Sequence, residues 1–167
     1  MFQMGCAALS AGLVAGCAMF GTPKMDFGNH APLPDSSAVY FKSQELREEA
    51  YPWFQRGLIL GILRKAVVHP YWIERLEELP HRRSKLLFVV DFSQTLSGEF
   101  DTIKSQLTLE VHDRDDRVIF TGSNFTSTVN WAGETTEYEA ATIKTFKPVM
   151  QRLMADSTVA QYVRSQQ

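Results

Sequence analysis

Beyond residue 17 the chain has no cysteine; the two it carries, Cys6 and Cys17, both lie near the N-terminus. A domain folded from the remainder can hold neither a disulfide nor a thiolate metal site. An excess of one charge is also missing. Lys and Arg number 17 against 19 Asp and Glu, a net charge of −2. That leaves no basic surplus for nucleic-acid phosphates, so no nucleic-acid partner is expected. No apolar run approaches the roughly 20 residues that a membrane-spanning helix needs. The motifs of common enzymes are absent as well. Gly122-Ser123 comes nearest to a nucleophile elbow, but it lacks the second glycine and the strand-to-helix setting. There is no phosphate loop and no dinucleotide fingerprint. His30, His69, His81 and His112 are far apart and form no zinc-ligand spacing. The sequence therefore assigns no catalytic residue, no metal and no cofactor.

What is present begins at the N-terminus. Residues 1–21 carry no charged side chain, and from Gly5 to Phe20 they are small or apolar. The run is too short to span a bilayer, but it suits the apolar core of a signal peptide, about 7–15 residues long. Ala15 and Gly16 supply the minimal side chains a peptidase requires, and Cys17 follows at once. A buried N-terminal helix is the competing reading. Four glycines between Gly5 and Gly21 weigh against it, because each costs a helix about 1 kcal/mol relative to alanine. A start at Met4 would read Met-Gly-Cys, but Ser10 falls one place too late for myristoylation.

Leu13-Val14-Ala15-Gly16-Cys17 resembles the lipobox of bacterial lipoproteins. The resemblance implies cleavage between Gly16 and Cys17 and a diacylglycerol on the Cys17 thiol. It implies a membrane anchor without a transmembrane helix, since two or more acyl chains hold stably. Ala18, in place of aspartate, implies sorting to the outer membrane with the domain in the periplasm; retention at the inner or cytoplasmic membrane is the alternative. The sequence departs from the pattern at Met1-Phe2-Gln3-Met4, which lacks the usual Lys or Arg. Whether Met1 is the true start stays open.

The expected organisation is a signal peptide at 1–16, a lipidated tether at 17–37 and one domain at 38–167. Gly, Pro, Asn, Asp and Ser dominate the tether, which is loop chemistry. Hydrophobic residues at 44% and charged residues at 22% suit an ordinary globular core for the domain. Ala38–Phe41 reads as a strand. A helical stretch follows, broken by Pro52, which opens a helix with Leu58, Ile62, Leu63 and Ala66 on one face. Gly57 and Gly61, four apart, suggest close packing of that helix on a sheet. Pro70 and Pro80 bracket a second helix with Trp72, Ile73, Leu76 and Leu79 inward. Leu86–Val90 reads as a central strand, Gln94–Gly98 as a loop, and Ile103–Val111 as an alternating strand. Asp113–Asp116 is a turn, for which calcium binding is the weaker reading because the EF-hand spacing is absent. Val118–Trp131 returns as a strand, with Gly122 a bulge or bend. Thr136 and Glu139 fit a capping box. Ile143, Phe146, Met150 and Leu153 mark a helix that Pro148 should kink or split. Asp156 and Ser157 cap a last helix.

These elements predict an α+β fold: a two-layer sandwich whose antiparallel or mixed sheet of about four strands carries helices on one face. Arg82, Arg83 and Lys85 form the one basic cluster, a candidate contact for an anionic surface, against the plainer reading of a solvated connection. Trp53, Trp72 and Trp131, with the phenylalanines, either fill the core or line an apolar pocket. Asn124-Phe125-Thr126 matches a glycosylation sequon. The C-terminal order, residues 146–154 and then an Asp156-headed helix ending near Tyr162, resembles small envelope lipoproteins of the LptE and YajG type. It transfers no functional residue. The function expected is a non-enzymatic accessory or scaffold protein of an envelope assembly or transport machine. A carrier of a lipid or other apolar ligand is the alternative, and an envelope hydrolase the remotest.

Overall fold

The computed structural model describes residues 37–42, 52–66, 70–73, 75, 84–97, 102–129 and 135–166. The expected signal peptide and nearly all of the expected tether, with Gly16 and Cys17, lie outside these residues, as do Arg82 and Arg83. In chain order the elements are β1 (Ala38–Phe41), α1 (Pro52–Ala66), β2 (Tyr71–Ile73), β3 (Leu87–Ser97), β4 (Thr102–His112), β5 (Val118–Val129), α2 (Thr135–Ala155) and α3 (Ser157–Ser165). The strands form one sheet in the order β2-β1-β3-β4-β5. β1 pairs in parallel with both β2 and β3, while β3-β4-β5 is an antiparallel meander. The helices cover one face, so the expected α+β sandwich with a mixed sheet is the fold, with five strands rather than about four.

The main core lies between that face and the helices. Strands contribute Val39, Phe41, Phe88, Val90, Phe92, Leu107, Leu109, Val111 and Phe120. These alternate along each strand because successive side chains point to opposite faces. α1 adds Ile59, Ile62, Leu63 and Ala66, which share one face at helical spacing. α2 adds Phe146, Val149, Met150 and Leu153, and α3 adds Val159 and Val163. The rings of Phe92 and Phe146 meet at 5.3 Å, tilted by 56°, a favoured aromatic arrangement. Gln94 is the polar member of this interface. Its buried amide donates to Ser105 Oγ (3.0 Å), Thr142 Oγ1 (2.9 Å) and the Tyr138 carbonyl (3.2 Å).

Several local expectations are corrected. Tyr71–Ile73, expected to open a helix, is a strand: β1 offers it an unpaired edge, and aromatic and β-branched residues suit a pleated surface. Residues 76–83 of the expected helix lie outside the described residues, as does the stretch before Pro52. Gln94–Ser97 is not a loop, because β3 stays paired with β4 as far as Ser97 opposite Thr102. Gly122 sits in register opposite Leu109, and the irregularity falls instead between Val111 and His112. Thr136 lies inside α2, which starts one residue earlier. Pro148 does not split α2. Both Pro148 and Lys144 are exposed, so the carbonyl freed by the missing N–H is open to water. Gly57 and Gly61 permit no close approach either; a Cβ built at each meets nothing within 4 Å.

Candidate functional site

The sheet has two edges of different character. β2 is three residues long, the kind of short edge that offers little backbone to a stranger. β5 is twelve residues long and reads Val-Ile-Phe-Thr-Gly-Ser-Asn-Phe-Thr-Ser-Thr-Val. It contains no charge and no proline, the two usual devices against unwanted pairing. Its pairing with β4 runs from His112–Val118 to Thr102–Val129, which engages one side of its backbone. Arg152 of α2 also donates to the Ser123 carbonyl at 2.6 Å.

The two faces of β5 differ as well. Towards α2 the strand is polar but engaged: Asn124 donates to the Thr145 carbonyl at 3.0 Å, and Thr126 shares a hydroxyl hydrogen bond with Thr145. The sequon asparagine is thus used in packing. The opposite face of β3-β4-β5 is bare among the described residues. Its rows are Asp91–Thr108–Ser123, Ser93–Gln106–Phe125 and Thr95–Lys104–Ser127. Phe125 is 59% exposed in the middle of this hydroxyl and amide surface, with Val129 at 44% on the same face. A large apolar side chain standing alone needs no explanation. Two of them along an unguarded edge strand extend the surface that the edge presents.

The β4–β5 hairpin tip accounts for the acidic cluster. Asp113 Oδ1 accepts from the backbone N–H of Asp115 and of Arg117, each at 2.9 Å. Asp116 takes φ = 62°, a conformation aspartate tolerates better than most residues. The Arg117 guanidinium is held above its usual pKa by its hydrogen bond to Asp115, then by the charges of Asp113 and Asp115. These carboxylates are engaged by their own turn. His112 stands beside them, with Nδ1 3.1 Å from Asp116 and Nε2 3.3 Å from Glu110. Both ring nitrogens face carboxylates of the same hairpin. The cluster sits on an exposed tip rather than in a cleft.

Of the expected surface cations, Lys85 donates to the Gln166 carbonyl and so ties the C-terminus to the entry of β3. Tyr162 strengthens that junction: its hydroxyl donates to the Lys85 carbonyl at 2.9 Å and accepts from Arg114 N–H at 3.0 Å. Phe41, Phe88, Phe92, Phe120 and Phe146 fill the core as the plainer aromatic reading expects, whereas Trp72 is 44% exposed. Trp131 lies outside the described residues. Composition could have flagged β5 as a strand without charge or proline; only the strand order shows it to be an edge.

No family model matches this chain. No curated protein matches it either. Solved structures do. A PelC dodecamer from Paraburkholderia phytofirmans is 12% identical, with a TM-score of 0.54 over 77% of this chain and 96% of that one. A PelC variant dodecamer from the same organism is 11% identical, with a TM-score of 0.56 over 76% and 96%. A Xanthomonas campestris protein assigned to DUF330 is 11% identical, with a TM-score of 0.48 over 83% and 90%. At such identities the two PelC likenesses speak for a shared fold.

Proposed function

We propose that this chain is a non-enzymatic accessory protein of the bacterial envelope, held at the outer membrane through acylated Cys17 and docking through the edge of β5. The observation that carries the docking reading is the edge itself: twelve residues, no charge, no proline, and, among the described residues, a neighbouring strand on one side only. Unpaired N–H and C=O groups in such a row are a template for strand addition. The uncharged side chains oppose no incoming strand by like-charge repulsion, and Phe125 and Val129 offer apolar area beside it. A fold shared with proteins that assemble as dodecamers makes a second copy of this chain one of the partners to look for. The anchor rests on the lipobox-like run ending at Cys17, and nothing in the docking argument depends on it.

The test separates the two parts. A photo-crosslinking residue is placed at Thr121 or Ser127 on β5 and, as a control, at Lys147 on the exposed side of α2. Acyl labelling and membrane fractionation are run in parallel with Cys17→Ser. The expected result is discrete crosslinks from the two β5 positions, few from Lys147, and a label that disappears with Cys17. No β5 crosslink in cells that retain the label removes the docking reading and leaves the anchor. A label unaffected by Cys17→Ser removes the anchor and the envelope location.

A further inference from the structure

Arg56 stands near the start of α1 and lies against the helix-side face of β1 and β2. Its guanidinium carbon is 5.8 Å from the ring centroid of Phe41 and 5.3 Å from that of Trp72. Arg56 is half-buried, and its Nε is buried with no hydrogen-bond partner among the described residues. Among the described residues, the ion pairs involve His112 and Arg117 but not Arg56. The arrangement is incomplete in one direction only. Aromatic faces stabilise a cation placed over them. They do nothing for the N–H donors, which lie in the guanidinium plane and point outward along its rim. A buried donor without an acceptor carries an uncompensated desolvation cost. The missing component is therefore an acceptor, preferably anionic and able to bridge two N–H groups.

Part of the Arg56 side chain reaches solvent. Tyr71 and Trp72 are 39% and 44% exposed on the short edge strand. Phe41 closes β1, and α1 follows it in the crossover to parallel β2. Arg56 thus lies towards the carboxyl ends of two parallel strands, where open α/β sheets bind ligands. We infer that Arg56 is the binding residue of an oxyanion subsite: its rim takes a phosphate group, while Phe41 and Trp72 hold the guanidinium plane. Arginine suits this role through its rigid donor fork, which lysine lacks. The phosphate belongs to a lipid headgroup or is free in solution, and the chemistry of capture is the same. The inference stands apart from the β5 docking and from Cys17.

The test uses the full chain with side-chain-labelled arginine. Inorganic phosphate is titrated at constant ionic strength against chloride. In a second arm, phosphatidylcholine vesicles are added with and without phosphatidylglycerol. The readouts are the Arg56 Nε–H resonance and Trp72 fluorescence, the latter taken as the difference from Trp72→Phe. Saturable movement of both with inorganic phosphate establishes the subsite with a free anion. Movement only with phosphatidylglycerol present establishes it with a headgroup. Arg56→Lys keeps the charge and should weaken the response roughly ten-fold or more. An unmoved Arg56 resonance in both arms overturns the inference, as does a Trp72 response of unchanged midpoint in Arg56→Lys. Should that variant fail to fold, the wild-type resonance alone decides.

Discussion

The two halves of the sheet solve the burial problem differently, and β3 belongs to both. On the parallel side, β1 and the first residues of β3 are buried on both faces, while the edge strand β2 buries Ile73 and leaves Tyr71 and Trp72 exposed. Val39, Phe88 and Val90 face the helices, while Ala38, Ile73, Leu87 and Val89 form a second cluster opposite. From Asp91 onward β3 changes to alternation, with Phe92 and Gln94 inward and Ser93 and Thr95 outward. β4 and β5 continue that pattern. Parallel strands connected by a crossover are ordinarily covered on both sides, whereas an antiparallel meander tolerates one wet face. One strand thus carries two burial codes, and the switch from a continuous apolar run to alternation marks where the sheet changes type. The docking reading falls on the one-sided half, and the Arg56 subsite on the outer margin of the two-sided half.

The sharpest way to break this comparison is to mutate the face opposite the helices in each half. Leu87→Ala should cost about 2–5 kcal/mol in urea unfolding, since Leu87 is fully buried there. Thr121→Ala, on the same face of β5, should change stability by less than about 0.5 kcal/mol because the residue is exposed. Equal costs would mean that the bare face is covered in solution. A second test probes how tightly α2 sits on the meander. A Cβ at Gly122 would lie 2.8 Å from Val149 Cγ1 and 2.9 Å from the Phe120 ring. Gly122→Ala should therefore destabilise by about 1–3 kcal/mol through overpacking; a neutral result would show that α2 gives way there. The smallest effect is expected at the α3 cap. Asp156 accepts from the N–H of Thr158 (2.8 Å) and Val159 (3.0 Å), and Asp156→Ala should cost about 1 kcal/mol by thermal unfolding.

The elements with a clear period were legible. α1 began at its proline, β4 alternated, and the Asp156 cap announced α3, because each depends on residues within a few positions of one another. The misread stretches depended on distant partners. Tyr-Trp-Ile at 71–73 becomes a strand because β1 lies beside it. Gln94 stays in a strand because Ser105 and Thr142 satisfy its amide. Pro148 is tolerated because the carbonyl it strands faces water. Of the expected surface cluster, Lys85 is used by Gln166, a contact across 81 positions that no local pattern reveals. Arg56 gave no signal at all in the sequence, since its significance lies in two rings brought to it by two other elements.

By itself, the sequence determined the α+β class, the charge-free N-terminal run ending in Cys17, and the separation of apolar from polar residues along β4 and α2. These follow from composition and short periods, which act within one segment. The tertiary structure decided the strand order, and with it which strand is left at the edge. It also decided which polar groups find partners and that Arg56 lies over the rings of Phe41 and Trp72. Those outcomes turn on contacts between segments far apart in the chain, where desolvation and pairing are settled only once the layers have closed.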